Sequence, residues 1–396
     1  MNSDASTQAS SAETSNRLIS LDVFRGLVIV VMTVVNFLSP VKGVPAWAKH
    51  RPGDLEGYTF VDVVFPAFLF MVGMAIPFAL QRRLDRGDSP ISLAGKIIFR
   101  SAILIFLGVL TVNPMFYSDA WSLLPKELWF RLTYICAVTA LIAVPPRATP
   151  DKKRKFHIAH WIGLIGLLVL LALFRGRSFA GITVWIRHSW WGMLGQIGWA
   201  YLTASLCWLL LRKYPLALFF TMWFLLAFYI ADRHGGLDWI GPSIRQWLNI
   251  GPLFGTNPAT VLMGILAGTL LQRSPSNVSP LRRAGSIALL GLGLYVIGEI
   301  VRPLHGINKS AHTESYALVT GGISCLLFAA VYFAVDIKKW NCARTLLVPI
   351  GQNALLAYLI PDILFGVSTI AAAAIMTLVV LSLVWTFTRL QIVLRL

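Results

Sequence analysis

"TFVDVVFPAFLFMVGMAIPFAL", residues 59–80, carries a single charge, Asp62, near its start and is otherwise apolar over enough residues to cross a membrane. A helix rises about 1.5 Å per residue and a bilayer's hydrocarbon core is about 30 Å thick, so about 20 apolar residues make a span. Comparable runs recur near 18–38, 97–114, 127–145, 158–174, 193–211, 215–231, 258–272, 285–301, 315–335, 345–360 and 370–389. Together they predict about twelve spans. Lipid offers no partner to a backbone N–H or C=O, so each run must satisfy its own backbone as a helix. The expected fold is all-α, a polytopic transmembrane helical bundle.

Composition agrees, with 57% hydrophobic and only 13% charged residues and a mean hydropathy of +0.71. A formal charge of +17 would suggest nucleic acid in a soluble protein, but here Lys and Arg fall mostly in short loops between apolar runs. They orient the chain in a lipid bilayer, and no nucleic-acid partner is expected. Cys136, Cys207, Cys325 and Cys342 are scattered with no CxxC spacing, which argues against a disulfide framework or a zinc site. Residues 1–16, rich in Ser, Thr and Ala, read as a disordered cytoplasmic tail ahead of one membrane domain over 17–396. The first apolar run has no small-residue cleavage site behind a basic segment, so it is expected to remain as a span.

Basic loops at 81–90, 145–157, 212–213, 281–283 and 336–340 alternate with loops richer in Trp, Gly, Pro and His. The basic set is expected in the cytoplasm with both termini, and the other set outside. Gly264 and Gly268 form a GxxxG, which favours close helix packing. Trp190 and Trp191 suit an interfacial belt.

Ionisable groups within spans are costly and therefore informative. Asp22 and Arg25 stand at i and i+3 on one helix face and can pair. Asn36 lies near the other end of that helix. Asp62 opens the next span, where an N-cap is the simplest role. His50 sits between Lys49 and Arg51, whose charges disfavour the imidazolium, and a neutral imidazole can act as base or nucleophile. Asn308, Lys309, His305 and His312 form a second polar cluster, and Asn353 is an amide within an apolar run.

The motifs carry more. "RLISLDVFRGLVIVVMTVVN" at 17–36, a His-bearing loop and "FVDVVFPAFLFMVGMAI" at 60–76 resemble the opening of the heparan-α-glucosaminide N-acetyltransferase family. Further similarity follows at 190–204, 254–268, 306–318 and 351–358, and is strongest to a bacterial branch associated with amino-sugar and N-acetylglucosamine use. The resemblance implies a membrane acetyltransferase using acetyl-CoA from the cytoplasm, with no metal, on the amine of glucosamine or a short glucosaminide. It implies His50, Asn36 and Asp62 as catalytic residues. Arg25 with Asp22 would meet acetyl-CoA, and Asn308, Lys309 and Asn353 the acceptor. Relative to the family's core, an extra helical pair is expected within about 115–175, and a homodimer is compatible with the resemblance.

The expected function is therefore acetyl transfer to an amino sugar in a bacterial inner membrane, His50 serving as base or transient acyl carrier. An amino-sugar transporter is the alternative, because a multi-helix bundle with a polar interior also suits alternating access.

Overall fold

The computed structural model describes residues 18–145, 149–177, 181, 183–275, 277–340, 342–364 and 367–394. The tail expected over residues 1–16 lies outside them. Among the described residues the chain is all-helical apart from a short hairpin, β1 (Gly176–Arg177) with β2 (Thr183–Val184). The helices are α1 (Ile19–Leu38), α2 (Phe60–Asp85), α3 (Pro90–Val112), α4 (Lys126–Leu141), α5 (Pro150–Leu173), α6 (Met193–Leu211) and α7 (Pro215–Arg233). After them come α8 (Pro242–Leu248), α9 (Asn257–Gln272), α10 (Pro280–His305), α11 (Glu314–Tyr332), α12 (Cys342–Gln352), α13 (Ala354–Ile363) and α14 (Ile370–Arg389).

Ten of these segments are long and apolar enough to cross a membrane, and eleven if the bent pair α12–α13 is one span. The protein is a multi-pass membrane protein. The count falls short of twelve for two physical reasons. The run at 127–145 is helical for only 16 residues, about 24 Å, which is less than the hydrocarbon thickness. The run at 345–360 breaks at Asn353, which leaves helical geometry, and the two halves meet at 78°.

The centre is α9, extended by a π-type turn over Pro252–Thr256, and 89% of its apolar window is covered by other helices. By contrast, α5 and α14 have only 17% and 22% of theirs covered, so they form the lipid-facing edge. Glycines set the tightest crossing: a methyl on Gly73 of α2 would strike the Val261 carbonyl, and one on Gly264 of α9 the Phe70 carbonyl. The GxxxG of α9 therefore acts in packing, where small residues let two backbones touch.

Direction follows from this order. α1 ends, α2 begins and α3 ends at one side of the bundle, while the start of α1, the end of α2 and the start of α3 lie at the other.

Candidate functional site

Two loops build the site. The first, residues 39–59, links α1 to α2 and carries His50; the second, residues 306–313, links α10 to α11 and carries Lys309. They are laced together, as Gly57 N donates to Ile307 O (2.8 Å) and Asn308 Nδ2 donates to Gly53 O (2.7 Å), and the end of α10 ties in where Arg302 Nε donates to Glu56 Oε1 (2.6 Å). The second loop turns back on itself through Gly306 (φ 68°) and His312 (φ 51°). Asn308 holds the turn, since its Oδ1 accepts from Ala311 N at 2.9 Å.

Asp62 is fully buried at the first turn of α2, and each of its carboxylate oxygens has a separate task. Oδ2 accepts from the backbone N–H groups of Thr59 (3.0 Å) and Arg51 (3.1 Å), which closes the helix N-terminus and fixes the approach of the His50 loop. Oδ1 faces His50 Nδ1 at 2.8 Å and Lys309 Nζ at 3.3 Å. Tyr316 of α11 donates its hydroxyl to the Asp62 carbonyl at 2.6 Å, anchoring the turn from behind.

The same Nδ1 atom lies 2.7 Å from Lys309 Nζ. An ammonium can only donate, so a charged Lys309 bonded there requires an unprotonated Nδ1; a bond from Nδ1–H to Asp62 requires the opposite. In the second arrangement Nε2 carries the free lone pair. Desolvation holds the Lys309 amine below the ordinary lysine range, against the opposing pull of Asp62. The His50 side chain is 39% exposed, enough for a substrate to reach it.

A cavity of about 600 Å³ opens from this group. At this end it is lined by Asn36, His50, Lys309, Ser310 and His312, and at the other by Arg25, Arg83, Lys96 and Arg100. Arg25 and Asn36 are both on α1, eleven residues apart, about 16 Å along the axis. Between the two ends the walls are largely apolar, with Phe65, Phe68, Met71 and Ile197 among them. The Asn36 amide makes no hydrogen bond to another described residue and is partly exposed to this cavity.

The site residues anticipated from sequence thus separate into groups. His50, Asp62 and Lys309 are in contact, Asn36 shares their cavity, and Arg25 lines its far end. Asp22 is buried beside Arg25, 3.4 Å from its guanidinium. Asn308 shapes the loop, as above. Asn353 lies elsewhere: its Nδ2 donates to Ile392 O (2.9 Å) and its Oδ1 accepts from Leu394 N (3.1 Å), tying down the C-terminal segment. Sequence reasoning missed Arg83, Lys96 and Arg100. Lys96 and Arg100 are i and i+4 at the start of an apolar helix, a costly position that was a readable signal. Among the described residues no group of three or more His, Cys, Asp or Glu is arranged to hold a metal ion.

A family model described as a domain of unknown function (DUF5009) matches residues 17–270. Heparan-alpha-glucosaminide N-acetyltransferase of Mus musculus is 42% identical over 108 residues, 27% of this chain and 15% of that protein. The Homo sapiens enzyme of that name is 40% identical over 98 residues, 25% of this chain and 14% of its own. The similarity is therefore local, covering about a seventh of each curated relative.

Proposed function

We propose for this chain, which belongs to the family described as a domain of unknown function (DUF5009), the transfer of an acetyl group from acetyl-CoA to the amine of glucosamine or a short glucosaminide. One observation carries the reading: a single cavity has an imidazole–carboxylate–lysine group at one end and four cationic side chains at the other. Acyl transfer to an amine needs a base at the amine, and a CoA donor needs cations for its phosphates. The local identity to the two N-acetyltransferases supports the choice of acetyl donor and acceptor.

In this reading Arg25, Arg83, Lys96 and Arg100 hold the phosphates, and the thioester reaches past the apolar walls toward His50. Asp62 keeps Nδ1 protonated, leaving the Nε2 lone pair to take a proton from the acceptor amine. The amine nitrogen attacks the thioester carbonyl, the C–N bond forms, and the C–S bond breaks. His50 returns its proton to the departing thiolate, so free CoA leaves as the thiol. Asn36 donates to the developing oxyanion. Asp22 orients Arg25, and the cationic end faces the cytoplasm of a bacterial inner membrane.

A transporter is the second reading, because the cavity reaches toward both ends of the bundle. The deciding experiment uses purified protein with acetyl-CoA, with and without glucosamine, and follows free thiol. Acceptor-dependent thiol release supports transfer. Counterflow of labelled sugar from vesicles without thiol release supports transport instead.

A further inference from the structure

A second chamber, of about 480 Å³, abuts the first at the His50 end, and Gln196, Ser310 and His312 line both. Its other walls come from the segment preceding α6, from the end of α8 and from the α8–α9 connection, with Trp190, Trp191 and Trp247 as the large surfaces. Trp190 and Trp247 meet edge to face, 5.1 Å between centroids, and His188 packs against both at 5.9 and 5.3 Å. The rings therefore form a fixed corner.

Two properties narrow the ligand. The exposed rings of Trp191 and Trp247 give the chamber broad aromatic surface, which suits a ligand with apolar faces. Among the described residues no carboxylate lines the chamber, so they offer no counter-charge to an ammonium ion. What it offers is aromatic face and edge beside neutral and cationic donors, from His188, Asn249 and Arg187. Apolar C–H faces ringed by hydroxyl acceptors match that lining. Those are the features of a pyranose ring.

We infer that this chamber seats the ring of a pyranoside acceptor, with its amine directed past Ser310 and His312 toward His50. The direction of the amine rests on the acetyl-transfer reading; the seating of the ring does not. Recognition is by ring and hydroxyls, so a glucoside without an amine should occupy the chamber as an unreactive competitor.

The test measures binding apart from turnover, using tryptophan fluorescence with methyl β-glucosaminide and methyl β-glucoside. Both should bind the wild type. Trp247 is 46% exposed on the seven-residue helix α8, so Trp247→Ala should fold. It should weaken both sugars by about tenfold or more while leaving acetyl-CoA affinity unchanged, and Trp247→Phe should recover most of the loss. Unchanged sugar affinity in Trp247→Ala overturns the chamber assignment, even if wild-type protein acetylates glucosamine. Competition by tetramethylammonium as strong as by glucoside overturns it too, revealing a cation cage. Sugar binding that depends on Trp247, with no thiol released, upholds the chamber and removes the transfer reading.

Discussion

Lys309 reaches the Nδ1 atom of His50 from the α10–α11 loop, at 2.7 Å, so the nitrogen that would donate to Asp62 also faces an amine that donates when charged. Protonated Lys309 on Nδ1 places the imidazole proton on Nε2 and silences it as a base. Loss of that proton releases Nδ1 to Asp62. The acetyl-transfer rate should therefore rise with pH along a limb set by Lys309, below the ordinary lysine range near 10.4. Lys309→Met should remove that limb from the pH profile of kcat. A limb identical in variant and wild type contradicts the coupling.

Asp62→Asn keeps the side-chain shape, but with its one carbonyl oxygen on the two backbone N–H groups it loses both the charge beside Lys309 and the acceptor facing His50 Nδ1. Removing one member of such a buried set costs about 1–3 kcal/mol, which thermal unfolding in detergent measures. Activity should fall further than stability explains, because Asn no longer selects the Nδ1–H tautomer. Full activity in a folded Asp62→Asn protein would detach the carboxylate from catalysis.

At the far end of the cavity, Arg25→Ala should weaken acetyl-CoA binding by about 1.5–3 kcal/mol, the range for hydrogen bonds to charged groups. Asp22 lies 3.4 Å from that guanidinium, so a melting curve must accompany the titration. An unaltered affinity with an intact fold returns Arg25 to a purely structural role.

His312 supplies a pH dependence of stability. Burial, with Lys309 nearby, pushes its imidazole down to about 4, whereas the unfolded side chain titrates near 6.5. Between those values the unfolded chain holds the extra proton, so stability is complete above about 6.5 and is lost as the pH falls toward 4. The loss is at most about 3 kcal/mol and smaller where cavity water reaches the ring. His312→Asn tolerates the left-handed backbone and should flatten the slope in melts taken between pH 4 and 7. An unchanged slope would assign it to other groups.

The α2–α9 contact should be intolerant of one methyl. Gly264→Ala meets the Phe70 carbonyl and should destabilise by about 1–3 kcal/mol, as overpacking does. Gly285, whose added methyl meets open space, is the control. Equal melting of the two variants would mean that α2 and α9 do not cross as described.

Much of this bundle was readable because run length alone distinguishes a span, as in the stretch around Phe60–Ile76. The break at Asn353 was not, since the apolar runs on either side of Gln352-Asn353 add up to one span's length while the backbone turns between them. Asn353 and Asn36 gave the same signal, an amide within an apolar run, yet one ties the C-terminal backbone and the other opens on the cavity. Hydrogen-bond partners across dozens of residues decide that difference, and no local pattern records them. Arg83 read as an orienting loop charge because sidedness explains most such residues. His50 and Asp62 stand twelve positions apart across a loop; the resemblance grouped them as catalytic residues, and no spacing argument predicted their contact.

The most direct test follows the acetyl group itself. Purified wild-type protein given acetyl-CoA labelled in its acetyl group, together with glucosamine, should yield labelled N-acetylglucosamine and free CoA in equal amounts, and His50→Ala should reduce both by about 10²–10⁴-fold while still binding acetyl-CoA. Without acceptor, a label retained on wild-type protein and absent from His50→Ala would show an acyl-histidine route; no retained label would leave His50 as the base. Wild-type turnover by a folded His50→Ala protein, or no labelled product from the wild type, contradicts the account.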